Sequence, residues 1–152
     1  MQDKPKSSGV RLIKIDGRYN VWTKRIGHGG IKMLTLHGGP GLTHEYLECF
    51  EKFLPKNEVE FYYYDQLGSG CSDKPKDESL WTLNRFCDEV EQVRMGLGLD
   101  DFYLYGHSWG GILGIEYALK YQCHLKALII SNMTASEALY EKNLQRLRRK
   151  LP

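Results

Sequence analysis

Apolar and polar positions along the chain change period several times, and each change marks an element. Val10 to Ile15 and Tyr19 to Arg25 alternate and are rich in β-branched and aromatic residues, with Asp16-Gly17 between them. This predicts a tight β-hairpin, because glycine takes a positive φ without steric cost. After Gly27-His28-Gly29-Gly30, the positions Ile31, Met33, Leu34 and Leu36 read as a buried strand that ends at His37-Gly38-Gly39-Pro40-Gly41. Tyr46, Leu47, Phe50, Phe53 and Leu54 recur at helical spacing before Pro55, so a helix is predicted there. Val59 to Tyr64 make a further strand, closed by Asp65-Gln66-Leu67-Gly68-Ser69-Gly70.

Leu83, Phe86, Cys87, Val90, Val93 and Leu97 fall on one face of a second helix, which Gly96 and Gly98 are expected to end. Phe102 to Tyr105 is a short strand, followed by Gly106-His107-Ser108-Trp109-Gly110-Gly111, a helix from about Ile112 to Tyr121, and a strand from Leu125 to Ile130. Alternating strands and helices predict an α/β protein with a mostly parallel sheet and helices on both faces, since each crossover returns the chain to the same edge. The chain then changes character. Thr134 and Glu137 have capping-box spacing, and Tyr140, Leu144, Leu147 and Leu151 line one face of a predicted helix whose other face carries Lys142, Arg146, Arg148, Arg149 and Lys150. This reads as a helix with one packed and one solvated face, ahead of a membrane- or partner-binding device.

Composition narrows the function. The formal charge is +2 and basic residues are scattered except at the end, so no nucleic-acid stripe is present. No apolar run approaches the roughly 20 residues that cross a bilayer, and Met1 to Gly9 lacks the apolar core of a secretory signal, which predicts a cytoplasmic protein. Cys49, Cys71, Cys87 and Cys123 form no CxxC pair and are expected to be buried thiols. No His or carboxylate pair has ligand spacing, so neither metal nor cofactor is expected.

Gly106-His107-Ser108-Trp109-Gly110 is a G-x-S-x-G sequence between a strand and a helix. There the turn is so sharp that glycines are needed on both sides, and the serine takes a strained conformation that exposes its hydroxyl. The helix that follows points its free N–H groups at an anion forming beside Ser108. A tetrahedral intermediate needs at least two N–H donors, and the earlier loop His37 to Gly41 can bring one in with no side chain in the way. The expected donors are the N–H groups of Trp109 and Gly39, with that of Gly38 as the second choice.

With HGGPG at His37 to Gly41, DQLGSG-x-S at Asp65 to Ser72, and GHSWGG at Gly106 to Gly111, the chain resembles the proline iminopeptidases, α/β-hydrolases that release amino-terminal proline from peptides. Many members have Arg where this chain has Leu67, a subgroup difference. The resemblance implies an α/β-hydrolase fold, Ser108 as nucleophile, Trp109 and Gly39 in the oxyanion hole, and His37, Gly38, Pro40, Gly41, Asp65, Gly106 and Gly110 in supporting loops. It implies an acyl-transfer aminopeptidase without cofactor, whose partner is a peptide with amino-terminal proline. It further implies that residues 1–133 are the amino-terminal part of the core and residues 134–152 the first helix of a cap. The family's catalytic Asp and His follow the cap in chain order, so the 152 residues are expected to be an incomplete fragment, inactive alone, with strand Leu125 to Ile130 left at a sheet edge.

The histidines inside the chain offer no substitute base. His107 belongs to the elbow and points away from Ser108, His37 begins the glycine loop, His28 and His44 are loop or helix-start residues, and His124 precedes a strand at the far end of the sheet. Asp65, Asp73 and Glu45 read as turn formers or caps rather than as acids that pair with a free amino terminus. Fold and elbow also fit an esterase or amidase of the same fold, or a non-catalytic interaction protein.

Overall fold

The computed structural model describes residues 9–150. Leu151 of the predicted last apolar face lies outside them. Strands β1 (Val10–Ile15), β2 (Tyr19–Ile26), β3 (Ile31–Leu36), β4 (Val59–Tyr64), β5 (Phe102–His107) and β6 (Leu125–Ser131) form one sheet in the order β1-β2-β4-β3-β5-β6. The pairs β1·β2 and β2·β4 are antiparallel, and the rest are parallel. This is the mostly parallel sheet with an amino-terminal hairpin that the pattern of apolar positions predicts. In the hairpin, Ile15 pairs with Tyr19, and Asp16 and Gly17 both take left-handed φ.

Helices α1 (Leu83–Leu97) and α2 (Trp109–Tyr121) pack on the same face of the sheet, over Ile13, Val21, Leu34, Leu36, Tyr62 and Tyr64. The opposite face carries Phe61, Tyr63 and Met33, against which Leu47 of the segment His44–Lys52 packs. Successive β4 residues point to opposite faces, so both of its faces are buried.

The structure corrects several expectations. Residues His44–Lys52 and Leu54–Asn57 are 3₁₀ turns instead of one α-helix. Pro55 has no N–H to continue an α-helical ladder, and Phe53 breaks the run with φ −122° and ψ −48°. Gly96 does not end α1 but lies inside it, against Ile13; Gly98, left-handed at φ 68°, is the cap. Helix α2 begins three residues earlier than expected, at Trp109. Helix α3 (Glu137–Arg148) is capped by Ser136, whose hydroxyl accepts the N–H of Leu139, rather than by Thr134, which bonds the Ser136 backbone. Cys87 is buried, but Cys49, Cys71 and Cys123 are exposed thiols. Among the described residues, no helix is long and apolar enough to cross a membrane.

The chain leaves β3 toward β4 on one side and, after α1, returns on the other side of β3 as β5. The carboxyl ends of β3 and β5 therefore flank the point where the strand order reverses, which is where open α/β sheets bind ligands. The loops from His37 and Ser108 meet there.

Candidate functional site

Ser108 sits between β5 and α2 at φ 53°, ψ −118°, a left-handed conformation that costs a non-glycine residue energy. It is held on both sides: its N–H donates to Ser131 O at 3.0 Å, and its carbonyl accepts from Gly111 at 2.9 Å. A Cβ on Gly106 would lie 2.2 Å from the Gly110 carbonyl oxygen, and one on Gly110 would lie 2.2 Å from that of Leu36. Any side chain at either position would collide with rigid backbone, so the close turn requires both glycines. Trp109 is the first residue of α2, and its N–H has no intrahelical acceptor.

The glycine loop packs directly on this turn. A Cβ on Gly38 would stand 3.3 Å from Ser108 Cβ and from His107 Nδ1. The Gly38 N–H donates to the Tyr46 hydroxyl at 2.7 Å, whereas the Gly39 N–H has no acceptor among the described residues. Gly39 takes φ 123°, and a Cβ there would lie 2.6 Å from the Gly41 nitrogen, so the loop shape requires glycine. Tyr46 also meets His107 Nδ1 at 3.1 Å.

Buried polar groups behind the loop fix its position. His37 is fully buried; its Nδ1 bonds the Gly38 carbonyl at 2.9 Å and its Nε2 accepts the Gln66 N–H at 3.0 Å. That pattern needs the neutral ring, with the proton on Nδ1. Burial lowers its pKa, against the Gly38 bond and the Asp65 charge. Gln66 then donates through Nε2 to His37 O at 3.1 Å and accepts the Trp109 indole N–H at 2.9 Å, linking the two loops. Asp65 accepts His44 N–H and Nδ1 on one oxygen and Cys71 N–H on the other. Burial alone would raise its pKa, but these bonds, led by that from His44, lower it. Asp73 accepts the Asn20 N–H and Glu45 the Thr43 hydroxyl, so both act in local structure.

The structure thus brings Ser108, Trp109, Gly38, Gly39, Pro40, Gly106 and Gly110 together and sets His37 and Asp65 behind them; Gly41 lies on the far side of Pro40, lining a neighbouring crevice. Sequence reasoning missed Tyr46 and Gln66. Gln66 stood inside a quoted motif, but its partners, His37 and Trp109, are remote in sequence. Tyr46 was counted as an apolar helix position. Its hydroxyl, which removes Gly38 as an available donor, could not be seen in a periodicity.

A cavity of about 790 Å³ opens over Ser108, lined by Gly39, Pro40, Trp109, Ile112 and Asn132, with Tyr140 of α3 across from them. Among the described residues no imidazole bonds the Ser108 hydroxyl. His124 lies beside Glu91 and Asp100, at the opposite end of β5. No cluster of three His, Cys, Asp or Glu side chains converges in the described residues to hold a metal.

The sequence matches the alpha/beta hydrolase fold family over residues 33–152. It is 59% identical over 129 residues to a proline iminopeptidase of Flavobacterium johnsoniae, covering 83% of this chain and 43% of that protein. The fold is similar to the crystal structure of VinJ, at 36% identity and TM-score 0.89 over 96% of this chain and 51% of that one. It is also similar to that of proline iminopeptidase from Mycobacterium smegmatis, at 30% identity and TM-score 0.86 over 95% of this chain and 50% of that one. The chain spans about half the length of the relatives it matches.

Proposed function

Because the chain belongs to the α/β-hydrolase fold family, we propose that it carries the nucleophile and oxyanion hole of a serine aminopeptidase that releases amino-terminal proline. The observation that carries this reading is the strained Ser108 beside two amides, those of Trp109 and Gly39, that have no acceptor among the described residues. The 59% identity to a proline iminopeptidase supports the substrate class. Ser108 Oγ attacks the carbonyl of the proline residue while a base takes its proton. The negative oxygen of the tetrahedral intermediate accepts the N–H groups of Gly39 and Trp109. Collapse breaks the C–N bond, the protonated base delivers its proton to the leaving amine, and water then hydrolyses the acyl-enzyme. Gly39 is the donor in preference to Gly38, whose N–H is already given to Tyr46.

The reading requires a base from outside residues 9–150, so the 152-residue chain alone should not turn over prolyl amides. We also assign 134–152 to the start of a cap over a core formed by 1–133, because Leu139, Tyr140 and Asn143 of α3 line the cavity above Ser108. In the full-length protein, Ser108→Ala should lower kcat on prolyl amides by several orders of magnitude, and retention of more than about a tenth of the activity would overturn the assignment. Gly39→Val should lower kcat about a hundredfold in a folded protein, the cost of one lost oxyanion donor. An unchanged kcat would move the donor elsewhere.

A further inference from the structure

A second cavity, of about 300 Å³, opens on the other side of Trp109 from the one over Ser108. The two share Pro40 and Trp109 and no other lining residue. Gly41, Leu67, Gly68, Trp81, Leu83 and Phe86 form the rest of its wall, with Thr82 as its one hydroxyl side chain. Its volume is that of the smallest ligand sites, about 300 Å³.

Three aromatic rings, those of Trp81, Phe86 and Trp109, line the crevice. Trp81 precedes the Thr82 cap of α1 and stacks on Phe86, four positions into the helix, with ring centres 6.2 Å apart and planes at 24°. This is a hydrophobic staple, which explains why Trp81 packs on one side. It does not explain the rest of the indole: Trp81 remains 42% exposed and lines the crevice. Phe86 in turn meets Trp109 edge-on at 5.9 Å, and the Trp109 indole is fixed by Gln66. Gly68 completes the wall, since a Cβ there would stand 2.8 Å from the Trp81 ring.

Resting on the reading of Ser108 as nucleophile, we propose that this crevice is the subsite for the side chain of the residue that leaves, and that it favours a flat apolar group. The cavity over Ser108 carries Asn132, Thr134, Tyr140 and Asn143, which can meet the hydrogens of a free ammonium group. The crevice has no comparable polar set and cannot replace the water around a charged amine. The charged end of the substrate therefore lies toward α3, and the portion beyond the scissile bond lies across Pro40 and Trp109. An aromatic side chain there gains area burial together with stacking on Trp81.

The test compares prolyl-2-naphthylamide with prolylglycinamide in the full-length protein. Trp81→Ala should raise KM for the naphthylamide about tenfold, a pocket-sized discrimination, with little change in kcat and none for prolylglycinamide. Trp81→Phe keeps the staple and should fall between, which covers the case in which Trp81→Ala fails to fold. Equal changes on both substrates, or no change on either, would overturn the subsite. If the parent protein hydrolyses neither substrate, the reading of Ser108 has failed separately. Calorimetric titration with 2-naphthylamine then decides the crevice alone: binding weakened by the Trp81 substitutions supports it, and unchanged affinity or no binding to the parent refutes it.

Discussion

Helices α1 and α3 start by the same local device and end in opposite surroundings. Thr82 Oγ1 accepts the N–H of Arg85 at 3.3 Å, and Ser136 Oγ accepts that of Leu139 at 3.3 Å. Both helices carry an apolar stripe. Yet α1 buries Phe86, Cys87, Glu89, Val90, Val93 and Arg94, whereas no residue of α3 is buried. Strand β6, an edge strand among the described residues, shares this exposure: Ile129 and Ile130 are 42% and 46% exposed. Capping and periodicity decide that a helix forms and which face is apolar. Whether that face is covered depends on elements brought to it by topology.

The comparison can be broken most sharply at Glu89. Its carboxylate lies wholly inside, accepting the Tyr64 hydroxyl, the Leu67 N–H at 2.9 Å and the Arg85 guanidinium, while burial raises its pKa. Glu89→Ala strands the buried Tyr64 hydroxyl and Leu67 N–H and leaves Arg85 only the Leu80 carbonyl and Asp16, and should cost about 3–5 kcal/mol in urea unfolding. A loss near zero would mean that the α1 side is no better packed than the α3 side.

Acid provides the next test, through His37 on the well-packed side. Its folded pKa is lowered from 6.5 by burial, so below that value the unfolded chain binds the proton that the folded chain refuses. Stability from this group is complete above the unfolded pKa and is lost as pH falls toward the folded one, by at most about 1.4 kcal/mol per pH unit. Urea midpoints at descending pH, with ring resonances of His37 held in the neutral Nδ1–H form, should show it.

Smaller effects sharpen the contrast on α3. Ser136→Ala should reduce the helicity of residues 137–148 and cost about 1 kcal/mol locally, measurable by amide exchange. Leu147→Ser, on an exposed apolar position, should change stability by no more than about 0.5 kcal/mol. A larger loss from Leu147 than from Ser136 would show that α3 is held by tertiary packing after all.

The strands, α1 and the elbow were legible because their signals are short-range. A two-residue period, a three- to four-residue period and glycines around Ser108 each follow from backbone geometry within a few residues. The predicted helix before Pro55 failed where apolar spacing alone cannot separate α from 3₁₀ turns. The start of α2 was read late because Trp109, Gly110 and Gly111 were assigned to the loop motif. Ser136 replaced Thr134 because two hydroxyls within three residues offer the same capping chemistry, and only the entering backbone chooses between them.

By itself, the sequence determined the alternation of elements, the residue that must stand in the elbow, and the two loops able to offer amides. Steric demands at Gly106, Gly110 and Gly39 leave little freedom in those choices. Tertiary structure alone decided which amide of the glycine loop is available, since the Tyr46 hydroxyl arrives across space to take that of Gly38. It decided that Gln66 would join His37 to Trp109, and that Trp81 would wall a crevice beside them. These contacts join residues up to 43 positions apart, and they exist only because β3 and β5 lie side by side where the strand order reverses.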